Sequence, residues 1–153
     1  MRLALFQPDI APNVGATIRI AACFGLPLDV IGPTAFPAST KSLRRAALDY
    51  GAWAEVTYHA SWDTFRTAHP ARLILATTTA SAAPWEIAFR EGDVILVGSE
   101  TAGVPDAVHR DADTRTRIPM PGGGRSLNVA VSAGILLSEA TRQGALGTVS
   151  PHP

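Results

Sequence analysis

The sequence predicts an α/β fold, a mostly parallel sheet flanked by helices. Two observations carry this expectation. Short apolar runs of buried-strand type alternate with helical patterns across short loops, and polar or glycine residues gather just after several of those runs: Thr77-Thr78, Gly98-Ser99-Glu100 and Pro121 to Ser126. In open parallel sheets ligands sit outside the carboxyl ends of the strands. These three clusters are therefore expected to form one site at one edge of the sheet.

The first element, residues 2–6 (RLALF), is an apolar run closed by Pro8 and reads as a buried strand. In the following PDIAPNVGATIRIAACFG, Asn13 is a good N-cap. Val14, Ile18, Ala21, Ala22 and Gly25 then fall on one helical face, and Gly25 with Pro27 ends the helix. Arg19 lies off that stripe, where it either points into a cleft beside the strand ends or is a solvated surface arginine. Cys23 is expected as a small core residue on this helix; a lone cysteine excludes an internal disulfide and a cysteine metal site.

Residues 28–32 (LDVIG) form the second strand. Ser39 or Thr40 then caps a helix that buries Leu43, Ala46, Ala47 and Tyr50. Lys41, Arg44 and Arg45 lie opposite with Leu48, either as a phosphate-contact patch or as an ordinary solvated face. Ala54 to Tyr58 reads as a third strand, and Trp62 to Ala68 as a short helix capped by Ser61. Residues 72–80 (RLILATTTA) are a clearer strand, residues 81–92 loop or ragged helix, and the stretch from Asp93 another strand ended by Gly98. Glu100 and Gly103 follow it, and a helix starts at Pro105. Glu100 either caps neighbouring backbone N–H groups or acts in the site.

The last organised stretch, RIPMPGGGRSLNVAVSAGILLSEATRQ, runs from Arg117 to Gln143. An extended segment, residues 115–120, enters a triple-glycine loop whose backbone can approach a ligand closely. A long helix is expected from Ser126, with Ser126 as its N-cap. Leu127, Val131 and Ile135 form one apolar stripe and Val129, Ala130, Ala133, Leu136 and Leu137 others, so the helix should be buried on more than one side, the second surface being another copy of the chain.

The 153 residues suit a single domain, with residues 144–153 as a flexible tail. Apolar residues make up 46% and charged ones 17%, which excludes a disordered chain. Thirteen basic residues balance thirteen acidic ones, so any nucleic-acid role must rest on local clusters. There is no membrane-length apolar run and no signal peptide, which places the chain in a soluble, reducing, cytoplasmic setting. No dinucleotide-binding fingerprint, P-loop, nucleophile elbow or metal-spaced histidine pair is present. His59, His69, His109 and His152 are scattered in loop-like or terminal contexts, so neither a catalytic histidine nor a bound metal is expected.

Three stretches taken together, PDIAPNVGATIRIAACFG, LVGSETAGVP and the Arg117–Gln143 segment, resemble the motifs of the SPOUT RNA methyltransferases. With LRRAALDY between the first two, the chain resembles the small subfamily that 2′-O-methylates cytidine or uridine 34 of tRNA. The resemblance spans Leu3 to about Gln143. It implies a C-terminal trefoil knot, a homodimer, S-adenosylmethionine (SAM) as cofactor and tRNA as partner. By position, Ala76, Gly98, Ile118 and Ser126 would contact SAM, with Thr77, Glu100, Gly103, Met120 and Leu127 lining the same pocket. Arg19, Glu100, Ser126 and Asn128 would surround the reacting centre. Arg19, ionised at any ordinary pH, would bind the neighbouring phosphate and stabilise charge on the 2′ oxygen, while Ser126 and Asn128 orient the ribose. Lys41, Arg44, Arg45 and Arg125 would contact RNA phosphates. Ala16 and Ala102 depart from the asparagine and arginine usual in relatives. Two other readings stay open: a 2′-O-methyltransferase of ribosomal or another RNA, and a non-catalytic SAM- or RNA-binding protein.

Overall fold

The computed structural model describes residues 1–37, 41–47, 49–50 and 54–146, apart from the side chains of Ser42 and Arg44. In order, the elements are β1 (Arg2–Phe6), α1 (Ala11–Cys23), β2 (Leu28–Ile31), α2 (Lys41–Ala47), β3 (Val56–His59), α3 (Trp62–Ala68), β4 (Leu73–Ala76), β5 (Val94–Val97), α4 (Asp106–Asp111), β6 (Thr114–Thr116) and α5 (Val129–Arg142), with a 3₁₀ turn at Pro84–Glu86. The six strands form one sheet in the order β3-β2-β1-β5-β4-β6, and every pairing is parallel. All carboxyl ends therefore lie along one edge, as the sequence predicts.

Strand alternation sorts the core into two layers. Leu3, Leu5, Leu28, Val30, Ile74, Ile95 and Val97 face α1, α2 and α5, meeting Val14, Ile18, Leu43, Ala133 and Leu136. Ala4, Phe6, Ile31, Leu73, Leu75, Val94 and Leu96 face the other way, onto Phe65 of α3 and Val108 of α4. A sheet covered on both faces needs apolar residues at every strand position, which is why β1, β4 and β5 read as continuous apolar runs.

Asp29 breaks that rule. It is fully buried on the α3 side of β2. Its carboxylate accepts from Arg2 Nε at 2.8 Å and Nη2 at 3.2 Å, meets His59 Nε2 at 2.8 Å, and has His69 Nε2 at 3.4 Å. The four residues come from separate elements, and β1–β2 and β2–β3 pairing with the end of α3 brings them together. The expected scatter of the histidines is thus corrected: His59 closes β3, His69 caps α3, and His109 lies within α4. One ligand atom from each of Asp29, His59 and His69 falls within 4.8 Å of the others. Arg2 already neutralises this carboxylate, so an added cation there would meet a positive charge. His152 lies outside the described residues.

Several boundaries differ from expectation. Helix α1 begins two residues before Asn13, with Ile10 at the N-cap and a proline in its first turn. Helix α5 begins at Val129 and is capped by Asn128, not Ser126: Asn128 Oδ1 accepts from Ala130 N and Val131 N. Cys23 is exposed, because the buried stripe through Val14, Ile18 and Ala21 turns it outward. The third strand covers Val56–His59 and ends one residue later than expected, the ladder to β2 running through His59. Ser61 caps α3 as expected, accepting from Thr64 N. The caps expected at Ser39 or Thr40 and most of the 144–153 tail lie outside the described residues.

Gly15 lies where α1 crosses α2: a Cβ there would overlap the Leu43 carbonyl oxygen and the Ala46 methyl. Gly15→Ala should therefore lower unfolding stability by about 1–3 kcal/mol in urea titration, through overpacking against backbone that cannot retreat. The Asp29 cluster predicts a pH effect. Burial holds the His69 imidazole below its ordinary value of 6.5, partly offset by Asp29. A group with a depressed folded pKa contributes stability above its unfolded pKa and loses it as the pH falls. Stability should therefore decline as the pH drops below about 6.5, and His69→Gln should flatten that decline in paired urea titrations.

Candidate functional site

At the carboxyl edge of the sheet the loops after β4, β5 and β6 enclose a cavity of about 620 Å³, within the usual range for a small-molecule site. Its lining includes Ala76 and Thr77 after β4, Gly98, Glu100 and Gly103 after β5, and Ile118, Met120, Arg125, Ser126, Leu127 and Asn128 on the way to α5. Every residue expected to contact or line a SAM pocket falls on this one cavity. Thr77 N donates to Thr116 O, and Arg117 N to Ala82 O, so the first and third loops are stitched to each other directly.

The middle loop is a tight hairpin. Ser99 and Gly103 exchange both backbone hydrogen bonds, at 3.0 and 2.9 Å. Gly103 has φ of 66°, and a Cβ on Gly98 would come within 2.8–3.0 Å of the Gly103 backbone. The close approach requires glycine at 98 and the positive φ favours it at 103, reasons visible only once the hairpin closes.

A chain of side-chain hydrogen bonds joins this hairpin to α1 and α5. Glu100 Oε2 accepts from Asp9 N at 2.8 Å, and its Oε1 accepts from Asn13 Nδ2 at 2.9 Å. Asn13 Oδ1 in turn accepts from Asn128 Nδ2 at 2.8 Å, and Asn128 Oδ1 caps α5. The sequence reading missed Asn13, placing it at a cap. The proline of the first turn was the available signal, since proline belongs inside the start of a helix and puts Asn13 one step deeper. It also missed Asp9, whose Oδ2 accepts from Ser99 Oγ and Thr101 Oγ1, each at 2.6 Å, and from Thr101 N at 3.1 Å. These bonds hold the Asp9 carboxyl below its ordinary pKa, Ser99 contributing most.

Ser126, relieved of capping, lines the cavity with an exposed side chain, as do Arg125 and Arg117. Arg19 does not line it. It is exposed on α1, with its guanidinium carbon 5.3 Å from the centre of the Tyr50 ring. Lys41 and Arg45 are exposed on α2, which packs beside α1; the side chain of Arg44 lies outside the described residues. On α5, Val129, Ala130, Ala133, Leu136 and Leu137 are buried, while Val131 and Ile135, with Leu127 just before the helix, are 50%, 37% and 38% exposed. Among the described residues, no helix is long and apolar enough to cross a membrane.

The sequence and fold are similar to those of known proteins. A protein of Ancylobacter novellus named tRNA (cytidine(34)-2'-O)-methyltransferase is 47% identical over 146 residues, 94% of this chain and 92% of its own length. A solved structure concerned with 2-OH methylation of C/U34 on tRNA is 41% identical with a TM-score of 0.89, covering 93% of this chain and 94% of that one. An AdoMet-bound rRNA methyltransferase of Sinorhizobium meliloti is 28% identical with a TM-score of 0.82, over 92% of this chain and 55% of the longer one. The model of the SpoU rRNA Methylase family matches residues 1–138, a span that contains all three loops of the cavity. By both sequence and fold, this chain belongs to the SpoU methylase family.

Proposed function

We propose that this protein is a SAM-dependent tRNA 2′-O-methyltransferase acting on the wobble ribose, cytidine or uridine 34. The observation that carries the reading is the single cavity formed by all three strand-end loops, in a chain whose full-length relatives bear that name. SAM fits the cavity: the lining at Ala76, Gly98 and Ile118 offers backbone groups and small or apolar side chains suited to a nucleoside. When bound, SAM supplies the methyl group that the ribose 2′ oxygen takes.

The hydrogen bonds divide the remaining roles. Glu100 and Asn128 have both side-chain polar atoms engaged within the protein. They act as positioning residues, fixing the hairpin and the start of α5. Ser126, whose hydroxyl no cap consumes, orients the ribose or the donor. Arg19, outside the cavity of its own chain, serves with Lys41, Arg44, Arg45 and Arg125 in holding phosphates, where a guanidinium gains from bidentate geometry. Alignment of donor and acceptor supplies much of the rate in such a site.

The chain works as a homodimer in the cytoplasm on this reading, as a single domain. The exposed Leu127, Val131 and Ile135 at helical spacing, with Ile10 43% exposed, support a second copy as what covers α5. The knotted threading belongs to the same proposal. β6 pairs with β4 at the sheet edge, whereas α5 packs on α1 and β5 nearer the middle, so residues 117–128 carry the chain back across the strand ends.

Mass mapping of tRNA from cells lacking the protein tests the assignment. One methyl group should be missing from the wobble ribose, and purified protein with SAM should restore it. Unchanged tRNA with a methyl missing from ribosomal RNA would instead favour a ribosomal substrate.

A further inference from the structure

A second cavity, of about 550 Å³, adjoins the first across the Ser99–Gly103 hairpin, which forms a wall of both. It lies at the carboxyl ends of β1, β2 and β5. Phe6, Pro33 and Pro105 supply apolar walls; Gln7, Asp9 and Thr34 supply polar ones. Among the described residues its lining carries no lysine or arginine, which favours a neutral ligand over a phosphate. Its hydroxyl donors are spent on the protein: Thr34 donates to Phe36 O, and Ser99 and Thr101 donate to Asp9 Oδ2. The acceptors are not. Among the described residues, no hydrogen bond reaches Asp9 Oδ1 or Gln7 Oε1, and the Gln7 amide makes only a long 3.4 Å contact with Gly32 O. Gln7 also has φ of 43°, the left-handed region that glutamine seldom occupies and that clusters at binding sites.

Resting on the function given above, we propose that this cavity seats an unpaired nucleobase bearing an exocyclic amine, cytosine or adenine, from the RNA strand whose ribose faces the donor cavity. A flat, neutral ring fits walls of phenylalanine and proline, and its amine meets the free oxygens of Asp9 and Gln7. Carboxylates accept from cytosine N4 and carboxamides from adenine N6 in this way. The shared hairpin then places the base beside the methylation site, with Asp9 holding that hairpin through one oxygen and reading the base through the other.

The test uses purified protein with SAM and synthetic anticodon stem–loops. Each amine-bearing base at or beside the methylated ribose is replaced singly by its oxo counterpart, uracil for cytosine and hypoxanthine for adenine. One replacement should lower kcat/KM about tenfold, and in Gln7→Ala the same replacement should cost only about threefold, since Asp9 remains. SAM affinity, measured by calorimetry, should not change in Gln7→Ala. Equal rates on every RNA, or undiminished discrimination in Gln7→Ala, would overturn the assignment. If no RNA is methylated, the proposed function fails instead, and titration with free cytidine against uridine and adenosine against inosine judges the cavity alone. NMR shifts of the Gln7 amide selective for the amine-bearing member of either pair would sustain the base site; equal shifts or none in both pairs would end it.

Discussion

A carboxylate can only accept hydrogen bonds, and at Glu100 that fact sets the polarity of the whole site. Because Glu100 Oε1 can only accept a hydrogen bond, Asn13 turns its amide nitrogen toward it and its oxygen away. Asn128 must then offer its nitrogen to Asn13, which leaves its own oxygen facing the first free N–H groups of α5. One charge, passed through two carboxamides, thus ends on a helix N-terminus that needs an acceptor. The chain of bonds joins the loop after β1, the hairpin after β5 and the approach to α5. Few other side-chain contacts could hold three such distant stretches in one register.

That constraint accounts for the chemistry of the cavity it encloses. Polar side chains that would otherwise compete for a ligand are committed to one another, so the lining beside the hairpin is left to backbone, small residues and hydroxyls already bonded within the protein. A nucleoside donor with a sulfonium centre is served better by such a lining than by a ring of fixed charges. Cations sit on exposed faces of α1 and α2 or, as Arg117 and Arg125, on the exposed part of the cavity lining, where contact with a polyanion needs no burial of charge. The other end of α5 is held as firmly: Gln143 accepts from Phe89 N and donates to Ile87 O, so the helix is fixed at both termini while its outer apolar stripe stays open.

Strand runs such as LILA and VILV were legible because burial on two faces leaves no polar position to confuse the pattern. The convergence of Thr77, Gly98 and Ser126 was legible too, since a parallel sheet brings all strand ends to one edge. Helix starts were less so. Ser126 and Asn128 are both good caps, and only the partner Asn13, 115 residues away, decides between them. Asn13 itself looked like a cap until the hairpin gave it a carboxylate to meet. Cys23 read as core because cysteine usually is, yet the position one helical step past Ala22 turns it outward. The meeting of His59 and His69 over Asp29 left no trace in spacing, because strand pairing and a helix end create it.

A double-mutant cycle on SAM binding probes the relay most directly. Calorimetry on wild type, Glu100→Gln, Asn13→Ala and the double variant should show strongly non-additive losses, the double variant binding about as weakly as the worse single one, with a coupling of roughly 1 kcal/mol or more. Losses that add to within about 0.5 kcal/mol would mean the two side chains act independently, and the hydrogen-bonded chain from hairpin to helix would not be what keeps the donor cavity in shape.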